Sequence, residues 1–280
     1  MSAIFDFSDY GALLGLVTNS LIAGALLGIV GGLIGFFVMA RDLPFAVHGV
    51  SELSFAGAAG ALLIGFDVVA GSTVGAIIAA LLIGVLGPRA RERNSVIGVL
   101  MPFGLGLGIL FLAIYPGRSA NRFGLLTGQV VSVDGGQVVE LIAVLAVVLV
   151  ALLVVWRPLL FASVDEDVAI ARGVPVRALG IVFMVLLALT VSVAVQTVGA
   201  LLVLALLVTP AAAALRIASG PLAVSLLSMV FATVSIVGGI LLALGAAIPI
   251  SPYVTTISFL IYLVCRLAGR SRSGRVRSDA

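Results

Sequence analysis

The sequence predicts an all-α, polytopic membrane protein with about nine transmembrane helices and a short cytoplasmic helix. Of its 280 residues, 62% are hydrophobic and only 10% are charged, far less charge than a soluble domain of this length carries. The chain is also rich in glycine, with 33 residues, which suits close packing of helices in lipid. Apolar runs long enough to cross a bilayer alternate with charged or Pro/Gly-rich breaks.

The nine predicted spans follow these apolar runs in order. They cover residues 12–39, 45–65, 68–87, 95–114, 137–157, 178–195, 198–215, 222–246 and 252–268. Residues 1–268 are therefore expected to form one transmembrane domain. The basic remainder, residues 269–280, is expected to be a disordered cytoplasmic tail.

The distribution of arginine predicts the orientation. If the N-terminus lies outside and the C-terminus lies in the cytoplasm, all of the 15 basic residues except Arg118 and Arg122 fall on the inner side. Positive residues accumulate in cytoplasmic loops, so this asymmetry predicts that topology. The net charge of +3 therefore reports membrane orientation, and no nucleic-acid partner is expected.

Several absences exclude whole classes of function. The sequence contains no lysine, and a Walker A nucleotide-binding loop needs one to reach the phosphates. The chain is thus not predicted to be an enzyme, and any ATP that drives it would be hydrolysed by a partner subunit. Its one cysteine, Cys265, excludes an internal disulfide framework and a multi-cysteine metal site. No H-E-x-x-H motif occurs, and the residues around Ser51 do not form a G-x-S-x-G nucleophile elbow.

The only histidine, His48, lies four residues before Glu52 in the apolar stretch FAVHGVSELSFAGAAG, residues 45–60. Residues at this spacing share one face of a helix, and ionisable groups at membrane depth usually face a cavity or an ion path. Imidazole and carboxylate are ligands that Zn²⁺, Mn²⁺ and Fe²⁺ accept. The alternative is a hydrogen-bonded pair that only fixes the helix. A metal site would need further ligands, which a twofold dimer would supply.

The segment RPLLFASVDEDVAIARGVPVRALG, residues 157–180, predicts a short cytoplasmic helix between the fifth and sixth spans. Acidic residues open it, and a basic residue and a glycine close it, an order that suits the helix dipole and a C-terminal cap. An ordinary amphipathic connector would show the same pattern. The residues concerned are Asp165, Glu166, Asp167, Ala169, Ala171, Arg172 and Gly173.

Three stretches resemble the permease subunit of the zinc/manganese ABC importers. SVDEDVAIARGVPVRAL, residues 163–179, resembles the family's cytoplasmic segment, which has an A-R-x-x-G-I-P-type pattern. VAVQTVGALLVLALLVTPAAAA, residues 193–214, is similar to the family's Q-x-V-G…L-L-V-x-P-A-A signature. GLLTGQVVSV, residues 124–133, is similar to its Gly-rich motif before the fifth span. With the pattern of spans, the resemblance covers nearly the whole chain.

The resemblance implies a homodimeric permease in a bacterial cell membrane. Two cytoplasmic ATP-binding subunits and an extracytoplasmic metal-binding protein would complete the importer. Residues 163–173 would be the coupling helix that docks into the ATPase, and a break at Thr209 and Pro210 would let a helix of the translocation path move. The chain itself would bind no cofactor, and its substrate would be a divalent transition metal.

The His48–Glu52 pair matches the family with one departure. The family shows an acid followed by a histidine in a G-D-x-x-x-H-x-x-x-x-G pattern, and alignment on Gly57 places His48 at the acid position and Glu52 at the histidine position. The same two ligand types in reversed order favour a metal site over a helix staple. Zn²⁺ is the first expectation, because His and Glu suit zinc, whereas Mn²⁺ and Fe²⁺ prefer more oxygen ligands.

Two alternatives stay open at this point. One is the same type of importer for Mn²⁺ or Fe²⁺, and the other is a proton-coupled secondary transporter, which would not need a docking helix. Asp134 and Glu140, at the start of the fifth span, and Asp67, after the second, are weaker candidates for guiding metal at the outer face. Their simplest interpretation is that of solvated charges at the membrane interface.

Overall fold

A computed structural model describes residues 14–15, 17–87, 90–117, 135–244 and 250–278. Within these ranges the chain forms eleven helices and no strand. Eight of these helices are long and apolar enough to cross a membrane. The predicted all-α polytopic architecture is therefore confirmed, while the orientation of the bundle stays a prediction.

The helices are numbered here in chain order. They are α1 Thr18–Ala40, α2 Pro44–Ile64, α3 Val68–Leu86, α4 Ala90–Ile114, α5 Gly135–Val164, α6 Glu166–Ala171, α7 Val176–Val198, α8 Ala200–Leu207, α9 Thr209–Ile217, α10 Pro221–Leu244 and α11 Ile250–Ser278. The predicted seventh span, 198–215, corresponds to the two short helices α8 and α9. It is interrupted at one residue between them, which is why it does not count among the eight long helices.

Three helices form the centre of the bundle. Within an apolar stretch of 18 residues in each helix, the buried share is 72% in α1, 67% in α2 and 67% in α7. In the other five long helices this share lies between 17% and 33%. α2 packs against α3 and α4, α7 packs against α3 and α5, and α1 packs against α10. The outer helices expose large apolar side chains such as Phe103, Val147 and Phe259, as expected of surfaces that face lipid.

A row of glycines on α1 lies against α10. A Cβ atom on Gly28 would lie 2.7 Å from the Cα of Thr233, and one on Gly32 would lie 2.6 Å from the Cα of Met229. Only glycine lets the two backbones approach this closely. The four-residue spacing of Gly24, Gly28 and Gly32 predicts such a contact. The hydroxyl of Ser228 donates a 2.7 Å hydrogen bond to the carbonyl of Gly32, so the contact is polar as well as close.

The fourth span contains a Pro/Gly-rich run around Pro102, which predicts a kinked or locally unwound helix that faces protein or a cavity rather than lipid. α4 is helical throughout Ala90–Ile114, so it is not unwound, and a kink stays a prediction. Gly104 and Gly108 contact α2, whereas most of the helix is exposed. A proline removes a single hydrogen bond, and the bonds on either side can maintain the helix.

Two elements at the predicted cytoplasmic side also have sequence-based expectations. The short helix expected within 163–173 is present as α6, and the residues just before it complete α5. The structure continues α11 to Ser278, and the disorder expected of the tail from residue 269 stays a prediction. Arginine is a good helix former and each added residue gains one hydrogen bond, so an existing helix extends readily.

We expect Gly32→Val to weaken the contact between α1 and α10, because the added side chain meets the backbone of α10. Overpacking of this kind costs about 1–3 kcal/mol, which thermal unfolding of the purified protein in detergent measures as a lower transition temperature. Gly98→Val in α4 is the control, because a Cβ atom there has no neighbour within 4 Å. Equal transition temperatures for the two variants would contradict this account of the packing.

Candidate functional site

The His48–Glu52 pair lies near the start of α2. Pro44 occupies the first turn of the helix, where its missing N–H costs no hydrogen bond. His48 and Glu52 follow one turn apart on a shared face, and Nε2 of His48 is 3.6 Å from Oε1 of Glu52. The structure thus brings together the two residues that the sequence analysis singled out.

The pair is largely removed from solvent. The exposed fraction of the side chain is 30% for His48 and 5% for Glu52. Within the described part of the chain, Nδ1 of His48 and Oε2 of Glu52 have no hydrogen-bond partner. Buried polar atoms are nearly always paired, because leaving one unpaired costs about 1–3 kcal/mol. The unpaired imidazole and carboxylate atoms are therefore chemically suited to bind a cation.

One chain does not complete a metal site. Among the described residues, no group of three or more His, Cys, Asp or Glu side chains could hold a metal ion. A tetrahedral or octahedral ion requires more ligands than this pair supplies. Further ligands would have to come from water, from backbone carbonyls or from a second chain.

Glycines allow two neighbouring helices to enclose α2 at the depth of the pair. On α3, a Cβ atom at Gly75 would clash with the carbonyl oxygen of Leu53. On α4, a Cβ atom at Gly104 would lie 3.0 Å from the carbonyl carbon of Glu52. Both neighbours therefore contact the backbone of the turn that carries Glu52, which fixes the position of its carboxylate.

A hydrogen bond joins α2 to a break in the central helices. α7 and α8 meet at Gly199, whose φ of 85° lies in the left-handed region that favours glycine. The hydroxyl of Ser51 donates a 3.1 Å hydrogen bond to the carbonyl of Ala200, the first residue of α8. Since Ser51 directly precedes Glu52, this bond connects the break to the turn that carries the pair.

A second break separates α8 from α9. Only Val208 lies between them, and Thr209 and Pro210 begin α9. Proline has no N–H and cannot continue the hydrogen bonds of the preceding helix. Ser258 of α11 donates a 3.2 Å hydrogen bond to the carbonyl of Ala205, in the last turn before the break. The predicted helix break is present, and its part in a translocation path stays a prediction.

The short helix α6 presents an apolar surface outside the spans. Asp165 is its N-cap and accepts a 3.0 Å hydrogen bond from the backbone N–H of Val168. Ala169 is buried against the bundle, whereas Val168 and Ile170 are 44% and 57% exposed. Val168 and Ile170 therefore flank the buried Ala169 on two sides of α6, and both are accessible from outside the spans.

Two of the carboxylates predicted near the outer face, Asp67 and Glu140, do not join the buried pair. Asp67 caps α3 and accepts a 2.7 Å hydrogen bond from the backbone N–H of Ala70, which is a structural role. Glu140 is exposed on α5, beside a cavity of about 60 Å³ that Gln196 also lines. Asp134 lies outside the described residues.

Sequence reasoning missed two contacts of this region. The sequence places Ser51 beside the pair, but its bond to Ala200 links residues that are far apart in the chain. Arg41 is in sequence only one of the basic residues that indicate orientation, whereas in the structure its side chain contacts the end of α5. The one local signal for Arg41 was its position between an apolar span and Pro44.

The fold is that of a multi-pass membrane protein, and the buried pair lies in one of its central helices. Residues 14–268 match the ABC 3 transport family, and the chain belongs to this family of ABC transporter permeases. The manganese transport system membrane protein MntC of Halalkalibacterium halodurans is 30% identical over 241 residues, which are 86% of this chain and 82% of that relative. MntC of Listeria innocua is 32% identical over 256 residues, which cover 88% of this chain and 89% of that relative.

A solved structure has the same architecture. PsaBC from Streptococcus pneumoniae, in complex with Fab, superposes with a TM-score of 0.83 at 26% identity, over 93% of this chain and 95% of that chain. The family match and these relatives confirm the resemblance to metal-uptake ABC permeases. With eight long apolar helices, they also confirm the prediction of a multi-pass membrane protein.

We expect Ser51→Ala to lower the free energy of unfolding by about 0.5–1.5 kcal/mol, because it removes a buried hydrogen bond between helices. Thermal or denaturant unfolding in detergent measures this loss. Ser235→Ala is the matched control, since the hydroxyl of Ser235 bonds only within its own helix, to the carbonyl of Phe231 at 2.7 Å. A control variant as unstable as Ser51→Ala would argue against a specific link between α2 and α8.

Proposed function

We propose that this chain is the permease subunit of an ABC importer that carries Mn²⁺ into the cytoplasm. The sequence alone favours Zn²⁺, because one His and one Glu suit that ion. The comparisons support the manganese alternative better, because the relatives at 30% and 32% identity are both named as manganese transport proteins. Zn²⁺ is the competing cargo, and the uptake experiment below distinguishes the two.

The buried pair is the observation that carries this proposal. Glu52 is the only charged side chain that is fully buried in the described part of the chain. An isolated buried carboxylate is costly, and an imidazole 3.6 Å away compensates it only in part. A divalent cation bound by the two side chains would offset that cost, because it would give the carboxylate a positive partner and the imidazole an acceptor for its lone pair.

We propose that two copies of the chain share the site. One chain supplies two side-chain ligands, and a twofold dimer would supply four, two imidazoles and two carboxylates. Mn²⁺ would take water or backbone carbonyls for its remaining positions, because it prefers oxygen ligands. The 30% exposure of the His48 side chain supports this arrangement, since it leaves one side of the pair accessible.

The proposed energy source is a separate ATP-binding subunit. The chain has no lysine with which to build a Walker A loop. Helix α6 is the proposed docking element, because it exposes Val168 and Ile170 beside an acidic first turn. An extracytoplasmic metal-binding protein would deliver the cation to the outer face. Asp134 and Glu140 are the residues proposed to attract it there.

The two helix breaks suit a mechanism of alternating access. Gly199 and Pro210 divide the stretch from α7 to α9 into segments that can move separately, as broken helices do at transporter binding sites. The hydrogen bond of Ser51 makes α2 follow the first break. In the proposed cycle, ATP binding and hydrolysis displace α6, the central helices shift, and the pair receives the cation from outside and releases it inside.

The first test measures uptake of radioactive Mn²⁺, with Zn²⁺ as competitor, by vesicles that carry the complete complex. His48→Ala and Glu52→Ala should each lower uptake by about 10–100-fold or more, because each removes a ligand, while assembly and ATP hydrolysis persist. The double variant His48→Glu with Glu52→His keeps both ligand types in the opposite order. It should retain more uptake than either single variant.

Two further variants sharpen this test. Glu52→Gln preserves the size of the side chain but removes its charge, so it should fail as Glu52→Ala does if the carboxylate is a ligand. Ser54→Ala is the matched control on α2. It removes a buried polar contact, that of Ser54 with Ser72 at 2.8 Å, but no proposed ligand, so uptake should persist. Normal uptake in both alanine variants would make the pair a helix staple. Preferred uptake of Zn²⁺ would overturn the manganese assignment, and uptake without ATP would favour a secondary transporter.

We also expect uptake to fall as the pH is lowered, because a protonated His48 cannot coordinate a cation. His48→Asp should move this loss to lower pH, towards the range where carboxylates are protonated, about pH 4. Comparing both proteins in the same complex removes the pH dependence of the partner subunits. Identical pH profiles would show that His48 is not a ligand.

A further inference from the structure

A large cavity lies where α1 is linked to α2. Its volume is about 1180 Å³, and it is lined by the link itself, by the ends of α3 and α5, and by the starts of α6 and α7. The cavity therefore lies between the link and the α6 segment that is proposed to contact the ATPase. Arg41, the residue that follows α1, lines it.

The side chain of Arg41 contacts the segment around α6. Its Nη1 donates a 3.2 Å hydrogen bond to the hydroxyl of Ser163, at the end of α5. Its Cζ lies 5.9 Å from the ring centroid of Phe183 on α7, a distance typical of a cation–π contact. Burial lowers the pKa of the Arg41 guanidinium, and the charge of the Glu166 carboxylate on α6 raises it. A single side chain thus interacts with three consecutive elements.

The ring of Phe183, which Arg41 contacts, is itself packed against other aromatic rings. The ring centroid of Phe183 lies 6.0 Å from that of Phe37 on α1, and the ring of Phe37 lies 4.9 Å from that of Trp156 on α5. Phe36 stacks on Trp156 with the centroids 6.0 Å apart. Such pairs stabilise packing beyond their buried area, so Arg41 rests on a rigid surface that α1, α5 and α7 build together.

The backbone of Arg41 is equally constrained. Nη2 of Arg93 on α4 lies 3.5 Å from the carbonyl oxygen of Arg41, to which it donates. The next residue, Asp42, has a φ of 55°, in the left-handed region that L-residues rarely adopt. The N–H of Leu43 donates to the carbonyl of Val38 at 2.8 Å. With only residues 41–43 between the two helices, a displacement of Arg41 also displaces the start of α2.

We propose that Arg41 is a positioning residue that transmits displacement of the α6 segment to the His48–Glu52 pair. The inference rests on the proposed function, because it requires an ATPase that acts on α6 and a cation held by the pair. If the end of α5 and α6 moved without Arg41, the half-buried guanidinium would lose its hydrogen bond to Ser163 and the charge of Glu166, which is costly. Movement of Arg41 with α6 avoids this cost and carries α2 along.

The role requires an arginine in particular. The planar guanidinium can donate to Ser163 and lie over the ring of Phe183 at the same time. Lysine carries the same charge as a point on a flexible stem and has no planar face. Arg41→Lys therefore separates the charge of the side chain from its geometry, and Arg41→Gln removes the charge.

The test uses the complete complex in vesicles and measures cation uptake and ATP hydrolysis in the same sample, with whichever of Mn²⁺ and Zn²⁺ the wild type imports. Arg41→Gln and Arg41→Lys should still assemble and hydrolyse ATP but import about tenfold fewer cations per ATP. Arg216→Gln is the matched control. The guanidinium of Arg216 on α9 also lies 5.9 Å from an aromatic ring, that of Tyr262 on α11. This contact does not involve α6 or the link to α2, so the number of cations imported per ATP should not change.

A second variant keeps the proposal falsifiable if the Arg41 variants fail to assemble. Ser163→Ala removes the hydrogen bond and leaves the charge, and it should lower the ratio of cations to ATP by about threefold. A fall of uptake and hydrolysis in equal proportion would show a merely structural role and overturn the inference. An unchanged ratio would overturn it while leaving the proposed function intact. A wild-type complex that imports neither cation would overturn both.

Discussion

Burial of an imidazole and a carboxylate inside an apolar helix is the constraint on which the rest of this structure depends. Water normally solvates such groups, and their removal from water is costly unless every polar atom finds a partner. In the described residues Glu52 has His48 at 3.6 Å, and one atom of each side chain is unpaired. The surrounding helices must therefore hold the pair in place without supplying the missing partners.

Small residues and helix breaks meet this requirement in different ways. Gly75 and Gly104 let α3 and α4 contact the backbone beside Glu52, so the carboxylate is held by close packing of main chains. The breaks at Gly199 and Pro210 lie next to this rigid part and give the central helices places to bend. The hydrogen bond from Ser51 joins the rigid and the broken parts.

α2 is the element at which two proposed routes of coupling meet. One runs from α6 through Arg41 and the short link into the start of α2, and it relies on polar and aromatic contacts. The other runs from the break at Gly199 through Ser51, and it relies on one hydrogen bond between helices. Both routes reach the turns that carry His48 and Glu52, and in the proposed mechanism either of them would move the candidate site.

The sequence by itself determined the polytopic class, the shared face of His48 and Glu52, the short helix α6 and the break at Pro210. All four follow from local chemistry: hydropathy, helical spacing, capping and the missing N–H of proline. Only the tertiary structure decided that Gly104 contacts α2 while Gly106, two residues on, contacts nothing within 4 Å. It also decided the partners of Arg41 and Ser51, because contacts between distant residues depend on how the helices pack, which no local pattern encodes.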